Sequence, residues 1–207
     1  GSLTLLKRTA VLGGYDSERY ATERRWVVAR DGARMPLSLF YKKGTALDAG
    51  APCLLYGYGS YGFGMPATFS YSAVSLADRG AIYALAHIRG GNELGEPWHD
   101  HGMLFEKKNT FFDFIDAARA LIDSRLTSSD TLMIQGGSAG GLLMGVVINE
   151  APELFKAVHA AVPFVDVLNT MFDTSLPLTV GEYLEWGNPN EKAAFDYIRS
   201  YSPYDNV

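Results

Sequence analysis

The chain has 207 residues, 47% of them hydrophobic and 20% charged, enough to bury a full core within one globular domain. A formal charge of −5 without any Lys/Arg cluster excludes a nucleic-acid or anionic-membrane surface, and no apolar run reaches transmembrane length. The N-terminus shows no signal-peptide h-region, and the single cysteine, Cys53, lies in an apolar run as an inert buried thiol, so a cytoplasmic location is expected.

Leu3 to Leu12 alternates loosely and stops at Gly13-Gly14-Tyr15-Asp16, which predicts a strand and a turn. The apolar runs Glu23–Ala29 and Met35–Tyr41 flank Asp31-Gly32, a β-hairpin signal. After a polar connection over 42–52, Cys53–Tyr56 reads as a short buried strand that opens into Gly57-Tyr58-Gly59-Ser60-Tyr61-Gly62-Phe63-Gly64. This loop lacks the Lys-Ser/Thr ending of a phosphate loop and the Gly-x-Gly-x-x-Gly spacing of a dinucleotide fold. It stands at the carboxyl end of a strand, where open α/β sheets bind ligands. A ligand-facing loop with tyrosine donors and a tyrosine-lined structural loop fit these residues equally.

Ser70–Arg79 has helical character, with Gly80 as its stop, and Ala81–Ile88 is a second buried strand leading into Arg89-Gly90-Gly91-Asn92-Glu93-Leu94-Gly95. His99 and His101 either bind a metal or are hydrogen-bonded loop histidines; no further Cys/His set accompanies them, which favours the second. Asn109–Ser124 is an amphipathic helix. Ser128-Ser129-Asp130 breaks the chain before the strand Leu132–Gly136, and a helix continues through Leu142–Glu150. Phe155–Pro163 reads as another buried strand with His159 as a core histidine. Strands alternating with helices from 53 to 163, behind an antiparallel pair, predict an α/β fold with a mostly parallel sheet and helices on both faces. Asn169–Gly187 is read as a long functional loop, Glu191–Ser200 as a short helix and 202–205 as a turn.

The stretch Gly136-Gly137-Ser138-Ala139-Gly140-Gly141 carries the chemistry. Strand, sharp turn and helix are the context in which Gly-x-Ser-x-Gly lifts a serine hydroxyl clear of a sheet edge. Glycines two residues either side leave room for the turn, and the Ala139 amide opens a helix whose dipole favours an oxyanion. Ser138 is therefore the expected nucleophile of a serine hydrolase. No cofactor motif and no metal-ligand set is read, so neither is expected.

Four stretches extend this reading: Leu55-Tyr56-Gly57-Tyr58-Gly59, Ile88-Arg89-Gly90-Gly91 with Glu93 and Gly95, the Ser138 motif, and Gly181-Glu182 with Glu185-Trp186-Gly187-Asn188-Pro189. In order and spacing the chain resembles the catalytic domain of the prolyl oligopeptidase family of serine peptidases, and within it the oligopeptidase B branch. The resemblance implies an α/β-hydrolase fold over 21–207, with 1–20 as the segment leaving a β-propeller. It implies Ser138 as the acyl-forming nucleophile and Tyr58 with the Ala139 amide as the oxyanion hole. Tyr61 and Phe164 would line the primary side-chain pocket, and Glu182 would hold a Lys or Arg side chain of a short peptide.

Two departures qualify what is implied. Members of that branch place a second glutamate where this chain has Leu184, so the basic preference is expected to be weakened. The family's triad Asp and His follow the serine at positions beyond Val207, and its propeller precedes residue 1. A fragment truncated before its last strands, inactive alone, is therefore expected, with the propeller and C-terminal segment of the same enzyme as its partners. The alternatives are a prolyl-specific oligopeptidase, an esterase of the same fold, or a non-catalytic binding module. The Tyr58 loop speaks against a lipase, which uses a His-Gly-Gly-type loop.

Overall fold

The computed structural model describes residues 2–48 and 50–207, so the first residue of the 1–20 segment lies outside the described residues. Strands β1 (Tyr20–Val28) and β2 (Arg34–Lys42) form the expected hairpin, paired antiparallel from Tyr20–Lys42 to Val28–Arg34. Gly32 takes φ 90° at its turn, and the Asp31 carboxylate accepts the Ala33 amide at 3.1 Å. Next come β3 (Cys53–Tyr56), α1 (Tyr71–Asp78) and β4 (Ile82–Ala86). After α2 (Glu96–Asp100) and α3 (Lys108–Asp123), β5 (Leu132–Gly137) runs into α4 (Ala139–Glu150), and β6 (Ala157–Ala161) follows. The sheet order is β1-β2-β4-β3-β5-β6; β2 is antiparallel to both neighbours, and β4, β3, β5 and β6 are parallel. This is the mostly parallel α/β sheet that the sequence predicts.

One face of the sheet is continuously apolar. Cys53, Leu55, Ile82, Ala84, Leu132 and Ile134 are fully buried and share a core with Phe111 and Phe114 of α3 and Leu142 and Leu143 of α4. Burial drives the Cys53 thiol pKa up to about 12, which keeps it an unreactive thiol at neutral pH. On the other face α1 packs against β2 and β4, while Leu54, Tyr56, Met133 and Gln135 are half-buried.

Several expectations change. Residues 2–12 form no strand, and Leu3, Leu5, Leu6 and Leu12 are exposed. These leucines fall on both parities, so no single face could be buried, and among the described residues no strand pairs with them. The strand at 155–163 is an edge strand, with Ala157–Ala160 exposed, and His159 is exposed too instead of lying in the core. It pairs in register with Gln135 on the less covered face. The 169–187 segment is not one loop. It overlaps α5 (Val167–Phe172), whose N-cap Asp166 accepts the Asn169 amide, and contains the single-turn α6 (Tyr183–Trp186). The last helix, α7 (Lys192–Arg199), matches its expected place.

Candidate active site

Ser138 occupies the one-residue corner between β5 and α4, with φ 56° and ψ −116°. That is the left-handed half of backbone space, strained for a residue with a Cβ. The corner is held from three sides. The Ser138 amide donates to the Ala161 carbonyl at 3.0 Å, and its carbonyl accepts the amides of Gly141 at 2.8 Å and Phe164 at 3.2 Å. A Cβ on Gly136 would lie 2.2 Å from the Gly140 carbonyl oxygen, and one on Gly141 would lie 2.5 Å from Pro163 Cα, so the tight approach needs both glycines. The Ser138 side chain is exposed, while Ala139 behind it is buried. As the first helical residue, Ala139 presents an N–H that has no intrahelical acceptor, with the α4 dipole behind it.

The loop after β3 is pressed against this corner. A Cβ on Gly57 would lie 2.7 Å from the Phe114 ring, and one on Gly140 would lie 2.9 Å from the Gly57 carbonyl and 3.4 Å from Tyr58 Cδ2. The half-buried Tyr58 ring thus lies beside the first turn of α4, two residues beyond Ser138. Burial raises its phenol pKa, and the nearby Tyr56, Glu182 and Glu185 raise it further, which keeps the hydroxyl a hydrogen-bond donor.

A second group gathers around Trp186, itself fully buried. The Tyr61 ring meets it edge-on at 5.5 Å, and the Phe164 ring lies at the same centroid distance, tilted. The half-buried Glu182 accepts the Trp186 indole N–H at 3.0 Å. The Tyr58 ring lies 6.4 Å from that of Tyr61 and meets Phe63 edge-on at 5.8 Å, and burial followed by the Glu182 charge pushes the Tyr61 pKa up. Leu184, in contrast, is 80% exposed. The structure therefore brings Ser138, Ala139 and Tyr58 together at the corner, and Tyr61, Phe164 and Glu182 around one indole.

The two loop histidines diverge. His99 Nε2 lies 2.9 Å from Glu185 Oε2 and His101 Nδ1 lies 2.8 Å from Glu106, so they are hydrogen-bonded residues of α2 and its C-cap. Glu96, His99 and Asp100 cluster on α2, but both carboxylates are exposed.

The residues that the sequence reading missed are buried charges. Lys107, 1% exposed, donates to the Gly59 carbonyl (2.6 Å), Ser60 Oγ (2.8 Å) and the Gly102 carbonyl (3.0 Å). Arg89 donates to Asp113 through its amide (3.0 Å), Nε (2.9 Å) and Nη2 (2.6 Å). Burial opposes the charge on Arg89, but the bonds and field of Asp113 and Asp31 outweigh it and raise its pKa. Asp113 gave one available signal, because it is a polar residue on the apolar stripe of α3. Lys107, just ahead of that helix, gave none.

The model of the prolyl oligopeptidase family matches residues 67–207. Dipeptidyl aminopeptidase BI of Pseudoxanthomonas mexicana is 55% identical over 195 residues, which cover 94% of this chain and 27% of that protein. The structure of oligopeptidase B from Leishmania major superposes with a TM-score of 0.92 at 52% identity, covering 94% of this chain and 27% of that one. Oligopeptidase B from Trypanosoma brucei, in a closed form with covalently bound antipain, gives a TM-score of 0.92 at 50% identity, with 94% and 28% covered. The chain thus spans between a quarter and a third of the length of these relatives.

Proposed function

The chain belongs to the prolyl oligopeptidase family, a family of peptidases with an α/β-hydrolase domain, and from that premise we propose that it carries the nucleophile half of a serine oligopeptidase site. Ser138 Oγ attacks the scissile carbonyl carbon, the amine product leaves with a proton, and water hydrolyses the resulting ester. The Ala139 N–H and the Tyr58 hydroxyl donate to the oxyanion that forms between these states. The observation that carries this reading is the strained, exposed Ser138 at the head of α4 with the Tyr58 ring beside that helix's first turn. A covalent inhibitor on the Trypanosoma relative agrees with such a nucleophile.

Glu182, beside the Tyr61–Trp186–Phe164 wall, takes the Lys or Arg side chain before the scissile bond of a short peptide. The general base and its orienting acid come from sequence following Val207, in the hydrolase order Ser, Asp, His. His159 does not fill that role: it is paired with Gln135, two positions back along β6 from the Gly137–Ala161 pair at the strand end. Exposed Leu184 favours a second reading, in which the pocket accepts neutral side chains nearly as well.

Labelling with a fluorophosphonate tests the proposal on the 207-residue chain, the same chain with its C-terminal segment restored, and Ser138→Ala. Labelling is expected in the restored form and is abolished by Ser138→Ala. A folded restored form that does not label refutes the hydrolase reading, and strong labelling of the short chain refutes the assignment of the base to the later segment.

A further inference from the structure

Glu182 and Glu185 are three residues apart, yet their surroundings differ. Glu182 is half-buried on the pocket side. Glu185 is 5% exposed and has both oxygens engaged. Oε1 accepts the Tyr61 backbone amide at 2.9 Å and lies 3.7 Å from Lys107 Nζ, while Oε2 meets His99 Nε2 at 2.9 Å. No oxygen is left for a substrate. Tyr61 itself sits at φ 61°, a conformation that a tyrosine does not hold without support, and the Glu185 bond is made to its own amide. The same Lys107 that faces Glu185 also fastens the preceding residues of that loop, Gly59 and Ser60, and its ammonium lies 5.0 Å from the Trp186 ring centroid.

We infer that Glu185 and Lys107 are positioning residues for the proposed peptidase site. They clamp the Tyr58–Tyr61 loop to the Trp186 helix from beneath, so the pocket's shape is set by a carboxylate that the substrate never touches. This rests on the reading of Glu182, Tyr61 and Trp186 as the side-chain pocket. It assigns different work to two like residues of one motif: Glu182 supplies charge to the ligand, and Glu185 supplies geometry to the wall. Because Lys107 neutralises Glu185, the pocket presents one carboxylate to a basic side chain.

The inference is tested with Glu185→Ala and Glu185→Gln in the form carried through its C-terminal segment, using peptide substrates with Arg and with its neutral isostere citrulline before the scissile bond. Glu185→Ala is expected to raise KM for both about tenfold, with a smaller change in kcat, since an amide at a strained residue loses its buried acceptor. Glu185→Gln keeps an oxygen for the Tyr61 amide and recovers most of the loss with citrulline. A loss confined to the Arg peptide overturns the inference, because Glu185 then acts as a charge; so does a fall in kcat alone or no change in KM. Benzamidine binding to the 207-residue chain, followed by tryptophan fluorescence, provides a readout without catalysis. Binding weakened about tenfold by Glu185→Ala supports the clamp. Binding that is unaltered, or absent from the wild type, overturns it. If neither peptide is cleaved by the wild type but benzamidine binding responds to Glu185→Ala, the peptidase reading fails and the clamp stands.

Discussion

Lys107 makes the stability of this fold rise with pH through the mildly alkaline range. Its ammonium is buried, and burial pulls its pKa down to about 8 from an ordinary 10.5, against the opposing field and hydrogen bond of Glu185. Between about pH 8 and 10.5 the unfolded chain therefore binds a proton that the native chain has released, and stability rises with pH across that window. The shift is worth at most about 3 kcal/mol, and about 2 kcal/mol of it falls between roughly pH 7.5 and 10. The tyrosines act the other way: burial raises the pKa of Tyr61 and Tyr201, so the unfolded chain loses phenolic protons first and stability declines above about pH 10. Urea unfolding of wild type and Lys107→Met, followed by circular dichroism at half-unit pH steps, separates the two. The wild type is expected to gain about 2 kcal/mol relative to the variant from pH 7.5 to 10, while the later decline is common to both. Parallel profiles would refute the reasoning, since they would show that Lys107 keeps an ordinary pKa in the folded chain.

Three further outcomes follow from the geometry. Tyr58→Phe removes a proposed oxyanion donor and is expected to lower kcat of the restored form about 10²–10³-fold, with an unchanged circular dichroism spectrum. Asp113→Ala removes the buried carboxylate that accepts three bonds from Arg89, leaving the guanidinium, 7% exposed at its side chain, with the Asp31 pair at 2.5 Å, and is expected to cost about 3 kcal/mol in urea unfolding. Leu184→Glu adds a carboxylate at a solvent-facing position and is expected to raise the Arg-over-citrulline ratio of kcat/KM by no more than about fivefold, as for an exposed ion pair.

The parts of the fold legible in the sequence are those fixed by local chemistry or continuous burial. Asp31-Gly32 locates the hairpin because its turn needs the positive φ that Gly32 supplies. Cys53–Tyr56, Ile82–Ala86 and Leu132–Gly137 read as inner strands because one side of each lies in the main core. The Ser138 corner is legible because its glycines answer backbone contacts a few residues away. Tertiary placement is what misled elsewhere. The leucines of 3–12 and the apolar run at 157–161 have strand-like composition, yet the first pairs with no strand of the described residues and the second lies at an edge. The helix turn at Tyr183–Trp186 has only four residues, too few for a periodic signal.

The site shows the same limit at the scale of a single side chain. Glu182 and Glu185 are identical in type, and no local pattern distinguishes a carboxylate that meets a ligand from one that holds a wall. The distinction comes from residues far along the chain. Lys107 and His99 converge on Glu185, and a loop whose amide at Tyr61 needs an acceptor arrives from the end of β3. Glu182 receives the neutral indole N–H of Trp186, and no cation of the described residues lies within salt-bridge distance of its carboxylate. A motif therefore names the available chemistry, while the partners that the fold delivers decide how it is used. On the proposed reading of the pocket, the one of these two carboxylates without a cation is the one left to attract a basic side chain.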